Sequence, residues 1–155
     1  MAAPRWEELQ RQWAEDPGAL VDIRVPNATV DDWRRVIDLV EARWSCALEV
    51  DGDPAPFPPD LAILAPVTDT TRFSLLRVGL TPLINLNAHL PDSDIEFDFD
   101  PREVLDQSDL DAIVDFVATL GRALGQVVHV VVEGGDIGGM DCLRYEPDSD
   151  QVVLP

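Results

Sequence analysis

In VDIRV, residues 21–25, apolar Val21, Ile23 and Val25 alternate with Asp22 and Arg24. In IEFDF, residues 95–99, apolar Ile95, Phe97 and Phe99 alternate with Glu96 and Asp98. Successive side chains of a strand point to opposite faces, so this period of two specifies half-buried strands with one apolar and one wet side. Such strands need neighbours to pair with and an apolar layer to cover one face.

Three segments at helical spacing can supply that layer. The first runs from about Arg5 to Ala14 and is closed by Asp16-Pro17-Gly18, where the proline disfavours helix at Asp16 and the glycine permits a turn. The second opens at Thr29, with Asp32 three residues on as a shortened capping box. It carries an apolar stripe of Val30, Trp33, Ile37, Val40 and Trp44. The third is expected to begin near Ser108, with Asp111 completing its cap. Its buried face is Leu110, Ile113, Val114, Val117, Leu120 and Leu124, and Gly125 ends it.

Between and after the helices the chain reads as strands. CALEV (46–50) follows the second helix, and a proline-rich surface loop, DGDPAPFPPD (51–60), allows neither helix nor central strand before LAILAP. RFSLLRVG (72–79), TPLINLNAHL (81–90) and IEFDFD, joined by short turns, form an antiparallel meander. VVHVVVE (127–133) is almost continuously apolar and should be a central strand covered on both faces. CLRYE and QVVL close the chain as a hairpin. The second and third helices each run into a strand, an echo that two amphipathic helices produce by chance as readily as by duplication. The expected class is α+β: one domain over 1–155, with two or three helices packed on a mainly antiparallel sheet that contains a meander.

Composition limits the function classes. Thirty acidic against eleven basic residues, all of them arginine, give a formal charge of −19, a field that repels nucleic acid and anionic membranes and attracts cationic partners. An all-arginine basic set and an aspartate excess also arise from background composition, so the charge alone names no function. No apolar run is long enough to span a bilayer, and the first residues lack the apolar core of a secretion signal, which leads to the expectation of a cytoplasmic protein. Cys46 and Cys142 form no metal or redox motif; both are expected to be reduced and small-apolar in character.

The candidate site is the acidic strand. Alternation places Asp94, Glu96, Asp98 and Asp100 on one face, each about 6.5–7 Å from the next. Calcium needs six to eight oxygens converging on a point, whereas a straight strand spreads them along a line, and the EF-hand glycine and glutamate are missing. Glycoside-type acid–base pairs need carboxyls in unlike environments, and four equivalent solvent-facing acids offer none. The glycine-rich EGGDIGGMD (133–141) lacks the phosphate-loop spacing and a lysine. His129 is expected to be a hydrogen-bonded core histidine.

A regular row of negative groups is what a cationic protein surface recognises. The sequence therefore reads as a non-enzymatic, cofactor-free module that binds a basic protein, in the manner of an immunity-type inhibitor covering a basic active site. Asp94, Glu96, Asp98 and Asp100 would steer the encounter, with Trp6 and Trp13 of the first helix as aromatic contacts. One alternative is a metal-dependent enzyme or metal-binding protein that uses residues 94–100 with His89. Another is a self-associating module with the tryptophan helix as its interface.

Overall fold

Helix α1 spans Trp6–Trp13, α2 Val30–Arg43 and α3 Gln107–Leu124 in a computed structural model that describes residues 3–57, 74–90 and 93–155. Nine strands accompany them: β1 Val21–Val25, β2 Ser45–Val50, β3 Asp53–Ala55, β4 Ser74–Gly79, β5 Asn85–His89, β6 Ile95–Phe99, β7 Val128–Val132, β8 Asp141–Glu146 and β9 Gln151–Val153. They form one antiparallel sheet in the order β3-β2-β4-β5-β6-β1-β7-β8-β9. The class is α+β, and β4-β5-β6 is the expected meander. The LAILAP segment, residues 58–60, the first residues of the 72–79 strand and Asp92 lie outside the described residues.

The alternation in β1 and β6 is what orients this sheet. Val21, Ile23 and Val25 face Phe99, Phe97 and Ile95 across the pair, and all six are buried. Phe116 of α3 packs edge-on against Phe97 at 5.1 Å, and Trp13 of α1 against Phe99 at 5.7 Å. β7 lies between β1 and β8, as its apolar run predicted.

The proline-rich segment contributes more than a loop. Asp53–Ala55 pairs with β2 as an edge strand, where a proline's missing N–H disrupts least. The two helix-to-strand units differ in topology. α3 carries the chain from β6 to β7 over one intervening strand, whereas α2 carries it from β1 to β2 over three.

Helix ends follow local chemistry. Thr29 accepts from the Asp32 amide and the Asp32 carboxylate accepts from the Thr29 amide, a full reciprocal box. The expected stripe of α2 shifts: Val30 in the first turn is exposed and Val36 is buried. Trp44 has left the helix but still packs on Phe116 at 5.1 Å. α3 begins earlier than the expected Ser108. Asp106 is its cap, accepting from the Asp109 amide at 2.9 Å, while Asp109 accepts from the Leu105 amide at 2.9 Å. Both the Asp106–x–x–Asp109 and the Ser108–x–x–Asp111 spacing could cap a helix, and the earlier one leaves Gln107 free to hold α1. Its side-chain oxygen accepts from the Trp6 amide at 2.8 Å and its amide donates to the Pro4 carbonyl at 3.1 Å. Gly125 closes α3 in the left-handed conformation, φ 64°.

Cys46 on β2 and Cys142 on β8 have five strands between them, far beyond the roughly 7 Å limit of a disulfide.

Candidate functional site

The sheet face opposite the buried phenylalanines is polar, and among the described residues no helix covers it. β1 contributes Asp22 and Arg24, β6 Glu96 and Asp98, and β5 Asn87 and His89. Their register is direct: Asp22 stands opposite Asp98, Arg24 opposite Glu96, and Asn87 opposite Asp98 on the other side. Beyond β1 the rows continue through Val131 and His129 of β7 to Asp141 and Arg144 of β8.

The four acids singled out in the sequence are not equivalent. Asp94 is tied into the fold: it accepts from an Arg24 terminal nitrogen at 2.9 Å and from the Asn27 amide at 3.2 Å, which fixes the turn between β1 and α2. Glu96, 42% exposed, lies 3.8 Å from the Arg24 Nε. Asp98 is half-buried, and burial pushes its carboxyl up, opposed by a hydrogen bond from Asn87 and by the nearby His89. Asp100 leaves the row altogether. The strand stops at Phe99 because Pro101 follows, and Asp100 turns to cap the 3-10 turn Pro101–Glu103. It accepts from the Arg102 amide and guanidinium at 2.7–3.1 Å, and that guanidinium holds its carboxyl below the usual range.

The fourth member of the outward cluster is Asp22, which the alternation had placed on the wet face without marking it as a site. It is only 8% exposed, and burial, followed by the charges of Glu96, Asp98 and Glu133, raises its carboxyl to about 7. The signal in the sequence was an acid on a second alternating strand; its pairing with β6 was not readable.

A separate polar network sits toward the β8 edge. The Asp141 side chain is fully buried and accepts from Arg144 Nε at 2.9 Å and the Gly138 amide at 2.8 Å, and pairs with His129 Nδ1 at 2.7 Å. His129 is thus the hydrogen-bonded histidine its position suggested. The geometry resembles a base with its orienting carboxylate, but no serine, threonine or cysteine is bonded to it among the described residues.

Among the described residues, two depressions lie at the sheet. One, of about 340 Å³, is lined by Trp6, Trp13, Pro101, Arg102, Val104 and Leu105. Trp13 is 5% exposed and its ring is part of the core, 6.0 Å from that of Trp6; Trp6 is partly buried and Leu105 is exposed. The other, of about 380 Å³, lies between the end of α1 and the loop after β7, with Glu15, Asp16 and Glu133 beside Val132, Met140 and Cys142. Burial pushes the Cys142 thiol up to about 11, so it stays protonated and a poor nucleophile.

Among the described residues, no three His, Cys, Asp or Glu side chains are placed to hold a metal ion. None of the described helices is long and apolar enough to cross a membrane. Comparison with protein-family models, curated proteins and solved structures finds no match for this chain.

Proposed function

We propose that the protein is an acidic protein-binding module whose polar sheet face engages a basic surface of a partner, in the manner of an immunity-type inhibitor. The observation that supports this reading is that the arginines of the face are already committed. Arg24 is shared by Asp94 and Glu96, Arg144 by Asp141 and Glu146, and Arg77 lies 3.3 Å from Glu49. What remains toward solvent at the centre is the part-exposed Glu96 and Asp98, on rigid paired strands, with the buried Asp22 carboxyl beside them.

Such a surface accelerates encounter with a cationic partner more than it sets lifetime. The groove at Trp6 and Trp13, with exposed Leu105 beside it, offers the apolar contact that slows dissociation. Asp94 and Asp100 contribute charge to the field, although their hydrogen bonds serve the fold.

The test is retention of basic host proteins on the immobilised chain at low salt, against the double variant Glu96→Lys, Asp98→Lys. Loss of a salt-sensitive partner from the variant supports the reading. An identical set of proteins on both removes the sheet face as the binding surface.

A further inference from the structure

Among the described residues, the centre of the polar face holds a carboxyl group with no hydrogen bond or ion pair of its own. Asp94 has Arg24 and the Asn27 amide, Glu96 has Arg24, Asp98 has Asn87, and Glu133 accepts from the Leu20 amide at 3.0 Å. Asp22 is more than nine-tenths buried, and among the described residues neither a hydrogen bond nor an ion pair reaches its carboxyl. Buried polar groups are almost always partnered, so a carboxyl this confined and without a partner calls for an explanation, and its position on the polar face leaves it within reach of an entering group.

The groups around it specify what that is. Asp98 faces Asp22 directly across the β1–β6 pair, Glu96 lies two residues along the same face, and Glu133 at the end of β7 adds its charge. On β7 the register partner is uncharged Val131. Behind Asp98 stand Asn87 and His89 of β5. Arg24, which pairs with Asp94, opposes the rise of the Asp22 carboxyl, but its effect is smaller than that of burial or of any of the three acids.

We propose that Asp22, with Asp98 and Glu96, is the docking point for a single basic side chain of the partner, a guanidinium or ammonium group entering from the polar face of the sheet. This rests on the protein-binding reading above. Asp22 near neutrality is uncharged for much of the time, and an entering cation favours the carboxylate and displaces its proton. Binding of the cation and loss of the proton are therefore linked, and affinity rises with pH through about 7.

N-acetyl-argininamide serves as the probe, with its uncharged citrulline counterpart as control, read by carboxyl-carbon NMR of the full chain at low salt. The arginine compound should shift the Asp22 and Asp98 signals and lower the Asp22 titration midpoint; the citrulline compound should do neither. Asp22→Asn should weaken binding about tenfold, the effect of losing one well-placed charge pair. Glu8→Gln, an equal change in net charge at an exposed position of α1, should leave it unchanged. The site is refuted if the Asp22 signal does not respond, or if Asp22→Asn binds like the wild type. If argininamide titrates Asp22 but no basic protein is retained in the partner experiment, the protein-binding reading fails and the occupant is a small organic cation instead.

Discussion

Replacing Asp22 by asparagine keeps the shape of the side chain and removes a charge that burial and three neighbouring carboxylates oppose. The folded state holds the Asp22 proton up to about pH 7, while the unfolded chain releases it near the ordinary value of 3.8. Between those values the folded state binds the extra proton, so this residue's contribution is most favourable below the unfolded value and is lost as pH rises to about 7. Asp22→Asn should therefore raise stability by about 1–3 kcal/mol at pH 8 and flatten the pH dependence across that window. Denaturant titrations at several pH values measure both. Gly121 makes the opposite prediction. A Cβ there would lie 2.0 Å from a ring carbon of Tyr145, whose hydroxyl is held by Asp150 at 2.9 Å. Gly121→Ala should push α3 off β8 and destabilise by about 2–3 kcal/mol, seen as a lower midpoint in the same titrations.

At the scale of elements, Asp141 joins β7, β8 and the loop between them through three contacts on one buried carboxylate. It stands at a register shift in the β7–β8 pairing, between Val130 and Val131. Asp141→Ala leaves the Gly138 amide without its partner and Arg144 with Glu146 alone, and should cost about 2–4 kcal/mol. The amide of Gly138 should lose protection in hydrogen exchange while those of β1 and β6 keep theirs. Retention of Gly138 protection would mean that the loop is held by something other than this carboxylate. The helices were legible down to their caps where one cap was available, as at Thr29. At α3 an Asp–x–x–Asp spacing (106/109) competed with a Ser–x–x–Asp spacing (108/111), and the Gln107 contacts to α1 accompany the earlier one.

Over the whole molecule, thirty acids against eleven arginines make the folded state self-repelling. Added sodium chloride, to about 0.5 M, screens that repulsion and should raise the melting temperature. A fall in melting temperature would mean that the arginine ion pairs contribute more than the net repulsion removes. The same salt should weaken capture of a basic partner, and the Glu96→Lys, Asp98→Lys variant should show a flatter salt dependence of any remaining binding.

The sequence by itself determined which faces are wet and which are dry, because side-chain direction in a strand or helix depends only on local backbone periodicity. Val21, Ile23 and Val25, and Ile95, Phe97 and Phe99, are buried as their alternation requires. It also determined the meander, whose strands are joined by turns too short for any arrangement but neighbours. Only the tertiary structure decided that β1 lies between β6 and β7, since that pairing joins residues some seventy and a hundred positions apart and leaves no periodic trace. That one placement gives the acidic row its environments: Arg24 comes to Asp94 and Glu96, and Asp22 comes to face Asp98 with no other partner among the described residues.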